Sequence, residues 1–238
     1  MEQVRQLMEI LRGPNGCEWD RAQTHTDIAP YTIEEAYEVK DAVDREDVSD
    51  FRSELGDLLF QTIFQSRIAE ESGAFDFDDV CQDLVAKMVR RHPHVFGDSD
   101  PPDWDALKAE ERIGKTLDGV ALALPALMRA QKLQKRAARV GFDWPSSEPV
   151  LAKVHEEINE FSQADSLMDR HEELGDLLFS VVNLARHFGI DSEAALRDAN
   201  AKFIRRFEYV ETNLGEDILS ASLEDMEAEW TKAKASGL

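Results

Sequence analysis

Five carboxylates recur in one fixed order along this 238-residue chain. Glu34, Glu35 and Glu38 form an acidic cluster that is followed by Glu54 and Asp57, and Glu156, Glu157 and Glu160 form a second that is followed by Glu173 and Asp176. The later pair sits each time in the same heptapeptide, Glu-Leu-Gly-Asp-Leu-Leu-Phe, at 54–60 and again at 173–179. Carboxylates at i and i+3 share one face of a helix, and like charges placed so repel one another. A cation between them turns that cost into a ligand set, and magnesium, a hard ion that takes oxygen ligands, suits it best. The pattern points to a metal-binding enzyme.

A cationic group follows the acids in both copies. Lys87 and Arg91 stand at i and i+4, as do Lys202 and Arg206, with Arg205 alongside the second pair. Such side chains can hold phosphate oxygens that a metal does not reach. The plain alternative is a set of solvated helix faces with surface ion pairs, since acidic runs are common. It does not call for the same order of acids and cations to be written out twice. Other chemistries find less support. None of the six histidines stands three residues after a glutamate, so the Glu-x-x-His signature of di-iron bundles is missing. Neither glycine-rich phosphate cradle is present. His155 and His171 flank acidic clusters and are expected at the surface. Gly56 and Gly175 lie inside helical patterns, where glycine costs roughly 1 kcal/mol against alanine, and close helix packing is the favoured reason. Trp19, Trp144 and Trp230 are expected to fill core, with base stacking as the alternative.

Nearly every periodic stretch that must position these residues has helical spacing. Leu7, Ile10 and Leu11 mark a first helix, stopped by Gly13-Pro14-Asn15-Gly16. A second runs from near Pro30 to about Val43. Ser49 or Asp50 is expected to cap a third, whose stripe is Leu55, Leu58, Leu59, Thr62 and Ile63, with Glu54 and Asp57 at its edge. Asp76 or Asp78 begins another, ending at His92-Pro93. A loop-rich connection follows, with a short helix around Asp105–Arg112. Helices over about 125–139, 149–163, 169–188 and 192–213, and a short one after Ser222, then repeat the first half. The expectation is an all-α protein of two related helical domains, 1–119 and 120–238.

Composition narrows the partners. A hydrophobic content of 42% allows a packed core. Against 49 acidic residues stand 27 basic ones, a formal charge of −22. That argues against nucleic-acid binding, which relies on Lys and Arg at phosphates. Small phosphorylated ligands remain possible if a divalent ion bridges them to the carboxylates. Two cysteines are too few for a disulfide framework. No stretch approaches the ~20 apolar residues of a membrane span, and no apolar signal region opens the chain. A cytoplasmic location without membrane partners is expected.

The duplicated acidic series, together with Gly16-Cys17-Glu18-Trp19-Asp20, Gln23-Thr24-His25 and Lys202-x-x-x-Arg206 followed by Trp230, resembles the all-α nucleoside triphosphate pyrophosphohydrolases, and among them the tandem-domain MazG group. The resemblance covers nearly the whole chain. It implies magnesium-dependent hydrolysis of nucleoside triphosphates, non-canonical ones included, to monophosphate and pyrophosphate. It also implies a homodimer in which a partner's helices complete each four-helix-bundle-like core. By resemblance, Glu157, Glu160, Glu173 and Asp176 are metal ligands and catalytic, with Lys202 and Arg206 beside them. Lys153, Glu156, Arg170, Glu172, Asp176, Lys202, Arg205, Arg206 and Trp230 are implied to contact substrate, which moves Trp230 from core to pocket wall. Glu35, Glu38, Glu54 and Asp57 could hold a second metal. The first half lacks a counterpart of Trp230, so the second is the expected active half. A pyrophosphatase narrowed to one nucleotide such as dUTP or dCTP is the runner-up, and a non-catalytic acidic adaptor the reading from another class.

Overall fold

The computed structural model describes residues 2–97, 100–101 and 114–238. Among them every regular element is helical, as the periodicity predicts. The short helix expected around Asp105–Arg112 lies outside the described residues. The chain divides into two compact units, Met1–Glu111 and Arg112–Leu238.

The first unit comprises α1 (Glu2–Arg12), α2 (Glu18–Ala22), α3 (His25–Asp44), α4 (Val48–Glu71), α5 (Phe77–Arg91) and α6 (Pro93–Phe96). The hairpin of α3 and α4 is its frame, and α1 and α5 pack on α4. Local chemistry sets the ends. Thr24 and Asp27 form a reciprocal capping box, so α3 starts upstream of Pro30 and carries that proline inside. Asp47 caps α4, accepting from the amides of Ser49 and Asp50, the two residues expected to do so themselves. Asp76 opens α5 through a box with Asp79. The core gathers Met8, Ile28, Ile63, Phe64 and Phe77. In α1 the expected stripe is wrong in part: Leu7 and Ile10 are exposed, and Met8, only 1% exposed, is the core residue. This helix is apolar on two sides, and only the face bearing Val4 and Met8 meets the core.

The second unit comprises α7 (Ala126–Arg139), α8 (Ser147–Gln163), α9 (Leu167–His187), α10 (Ser192–Leu214), a 3-10 turn (Gly215–Leu219) and α11 (Leu223–Ala235). Here α8 and α9 form the hairpin, α7 and α10 lie against it, and α11 packs on α10. Ser166, Asp191 and Ser222 cap α9, α10 and α11. Its fully buried side chains are small: Val150, Val182, Val210 and Ala233.

Both hairpins leave large apolar residues uncovered, among them Tyr37 and Leu55 in the first unit and Leu151, Leu174, Leu178 and Val181 in the second. Gly56 and Gly175 belong to these open faces. A Cβ built on either would meet no other atom within 4 Å, so close packing inside the chain does not explain them.

Candidate functional site

In the second unit α8 carries Glu156, Glu157 and Glu160, and the facing α9 carries Glu172, Glu173 and Asp176. The hairpin turns sequence neighbours into spatial ones. Oxygens of Glu157, Glu160 and Glu173 all lie within 4.8 Å of one another. Metal–oxygen bonds of about 2.0–2.6 Å span such a separation through one ion, so the donor set fits a hard divalent cation. Burial, followed by the charges of Glu160, Glu157 and Asp176, raises the Glu173 carboxyl above the usual range. Glu157 is buried at 3% exposure, yet it keeps a partner. Lys153 stands one turn before it on α8 and its ammonium is 2.7 Å from both Glu156 and Glu157. Hydrogen bonds to Glu156 and Glu157 push the Lys153 pKa well up, so the ammonium stays charged.

A cavity of about 760 Å³ opens beside this cluster. Lys153, Glu157 and Asp176 line one part of it, and Phe142, Trp144 and Phe179 give it aromatic walls. Trp144, expected in the core, is 43% exposed and forms part of that wall. Trp19 also departs from the core expectation, standing 52% exposed with its ring edge-on to Tyr31.

Polar residues that the motifs did not single out complete the lining. Asp143 binds Arg186 and, at 3.0 Å, His187. Burial works to raise the Asp143 pKa, but hydrogen bonds from Arg186 and His187 outweigh it and hold the carboxylate below its ordinary value. Arg186 in turn donates to Asn183 Oδ1 from Nε at 3.0 Å and from Nη2 at 2.8 Å. Ser180, Asn183 and Arg186 follow Asp176 at helical spacing, and that periodicity was the signal that could have found them.

Other residues implied by the resemblance lie elsewhere. Arg170 donates to the carbonyl of Ala164 at the end of α8. Lys202 and Arg205 are exposed on α10. Arg206 bonds the Leu238 carbonyl at 2.7 Å and sits over the Trp230 ring, which also contacts Phe203. None of these borders the cavity.

The first unit repeats the acids. Oxygens of Glu35, Glu54 and Asp57 lie within 4.8 Å of one another, with Glu38 on the same helix as Glu35. Burial and then Asp57 raise the Glu35 carboxyl, against a hydrogen bond from Gln61. Burial and then Asp50 and Glu38 raise Glu54. Aligning the two heptapeptides, Phe64 takes the place of Asn183 and is 1% exposed. Arg12 covers it at 5.3 Å while holding Glu71 at 2.7 Å. What is cavity wall in one unit is core in the other.

The MazG nucleotide pyrophosphohydrolase domain matches residues 23–96 and again residues 146–211. The nucleoside triphosphate pyrophosphohydrolase of Escherichia coli (strain K12) is 48% identical, the alignment covering 98% of this chain and 97% of that protein. The nucleoside triphosphate pyrophosphohydrolase/pyrophosphatase MazG of Thermotoga maritima is 43% identical over 98% of this chain and 95% of its own length. YabN of Bacillus subtilis is 44% identical over 97% of this chain, which spans half of that longer protein. With two copies of the acidic hairpin and two copies of the matching domain, the chain belongs to the MazG nucleotide pyrophosphohydrolase family.

Proposed function

We propose that this protein is a magnesium-dependent nucleoside triphosphate pyrophosphohydrolase that works chiefly through its second unit, releasing nucleoside monophosphate and pyrophosphate from canonical and non-canonical triphosphates. Hydrolysis of an acid anhydride follows from the family, and the metal, the substrate range and the active half are our reading. One observation carries it: the converging carboxylates of α8 and α9 border a cavity of about 760 Å³ with aromatic walls, within the 300–1,000 Å³ of a small-molecule site.

Glu157, Glu160, Glu173 and Asp176 would hold magnesium. When bound, the ion would polarise a phosphoryl oxygen and lower the pKa of a water molecule, supplying charge neutralisation and nucleophile together. Lys153 holds Glu157 at its place on α8 and offers a fixed positive charge to phosphate oxygens at the cavity edge. Lys202, Arg205 and Arg206 are the further cations we assign to phosphate, and Trp230 the aromatic beside them. They stand apart from the cavity of their own chain, as residues serving a partner's site would. The uncovered faces of Leu174, Leu178 and Val181 support a homodimer for the same reason. We place the enzyme in the cytoplasm, where its substrates are made. No helix among the described residues is long and apolar enough to cross a membrane.

Product analysis over canonical and damaged triphosphates with magnesium tests this directly. Pyrophosphate and monophosphate are expected in equal amounts, and none in excess chelator. Orthophosphate as the sole product would overturn the reading.

A further inference from the structure

The cavity walls contain two side-chain amides whose orientation is fixed and whose remaining atoms have no partner. Asn183 is 7% exposed. Arginine only donates hydrogen bonds, so the two bonds from Arg186 require the amide oxygen of Asn183 on the arginine side. Nδ2 is thereby left pointing away from Arg186, and it makes no hydrogen bond among the described residues. Gln134, on α7, is likewise 7% exposed. Its Nε2 donates to the Phe179 carbonyl at 2.8 Å, which fixes that amide too, and its Oε1 is buried without a partner. Phe179 and Asn183 are one turn apart on α9, so both amides approach the same turn.

A buried polar atom left unpaired costs stability unless a ligand or water completes it. Gln134 Oε1 is such an atom, and Asn183 Nδ2, which is not fully buried, is a free donor on the same cavity wall, beside the aromatic side chains. Asn183 follows Asp176 by seven residues, roughly 10 Å along the helix, which is of the order that separates the phosphates of a nucleotide from the edge of its base. In the first unit Arg67 takes the place of Arg186 but pairs with Glu70 and Glu71, and Phe64 closes the space that Asn183 borders in the second.

Resting on the hydrolase reading above, we propose that Asn183 and Gln134 are the base-reading residues of the second unit, Asn183 Nδ2 donating to an acceptor on the base and Gln134 Oε1 accepting from a donor beside it. Asp143 and Arg186 are positioning residues that hold Asn183 in this sense. All of the common bases carry an acceptor next to a donor on the Watson–Crick edge. Adenine and cytosine carry the two in the opposite order to guanine, and rotation about the glycosidic bond lets either order meet the fixed amides, so the pair checks that a base is present and discriminates weakly among bases.

Steady-state kinetics of the full chain with magnesium on ATP, GTP, CTP, UTP and base-free ribose 5-triphosphate test this. Asn183→Leu should raise KM for all four nucleotides by roughly tenfold, the worth of one hydrogen bond, with kcat held and the base-free compound unaffected. N183D keeps an oxygen for Arg186 and so protects the fold, but it turns the free donor into an acceptor. Two acceptors suit guanine, whose edge carries two adjacent donors, so N183D should raise the preference for GTP over UTP by about tenfold. Equal losses on ribose 5-triphosphate and nucleotides would make Asn183 merely structural and overturn the proposal, as would unchanged KM values in both folded variants. Calorimetric Kd values for the same panel separate this from the hydrolase reading. An inactive parent whose nucleotide affinity still responds to Asn183 overturns the hydrolase and supports the base contact.

Discussion

Within the acidic cluster the individual carboxylates stand in different surroundings, and their removal should differ accordingly. Glu157 is buried and its charge is balanced by Lys153, whereas Asp176 is exposed and has only acidic neighbours among the groups that act on Glu173. Both Glu157→Gln and Asp176→Asn should cut kcat/KM by about a hundredfold or more, given what even outer-shell changes cost metal sites. In metal-free protein, however, Asp176→Asn relieves repulsion and should raise Tm. Glu157→Gln takes from the half-buried Lys153 one of its two carboxylate partners and should lower it. Melting with and without magnesium separates these effects, and a variant that magnesium still stabilises as it does the parent would remove that residue from the ligand set. The raised Glu173 carboxyl adds a pH dependence of known sign. In the window between its unfolded and raised folded pKa the native state binds more protons, so metal-free stability falls as pH rises through it. That fall should be shallower in Glu173→Gln, and magnesium should oppose it in the parent. Equal slopes in parent and variant would show that Glu173 does not titrate as its surroundings require.

At the scale of helices, the acidic hairpins were legible in advance because the spacing of their charges is itself helical, and caps such as Asp76 and Ser222 are local chemistry. Less legible was what lies behind the acids. The two heptapeptides are identical, yet the next turns of α4 and α9 carry Phe64 and Asn183, and only packing shows that one closes a core and the other borders a cavity. Trp144 was misread for a related reason, since periodicity says nothing about a loop residue at a cavity mouth. Leu7 and Ile10 misled because a helix apolar on two sides does not announce which side is buried. The difference between the hairpins predicts unequal function. Glu35→Gln with Glu38→Gln should leave most triphosphate hydrolysis, and Glu157→Gln with Glu160→Gln should leave little, about a hundredfold below the parent. Rates at saturating triphosphate on the two double variants check this. Greater damage from the first pair would move the active site to the first unit.

On the scale of the whole molecule, two properties pull in opposite directions. A charge of −22 keeps copies of the chain apart. The uncovered faces of the hairpins, with Leu174 at 43%, Leu178 at 49% and Val181 at 44% exposure, favour bringing them together. These three residues recur at helical spacing along α9, beside the open space over Gly175. Apolar contact is proportional to area and little affected by salt, while repulsion between exposed charges is screened within about 10 Å at 0.1 M. Association should therefore strengthen as salt is added, the reverse of an interface built on ion pairs. A charge placed on the stripe, as in Leu178→Glu, would have to be buried unpaired on association and should weaken it by at least tenfold in Kd, given the cost of desolvating a carboxylate. Light scattering across a concentration series, at low and moderate salt, measures both effects. Parent protein that stays a single chain throughout would leave the apolar stripe of α9 without a partner and take the homodimer with it. Parent dimer converted to monomer by Leu178→Glu, with the helical circular dichroism retained, would assign the α9 face to the interface and explain why Gly175 has nothing above it in the isolated chain.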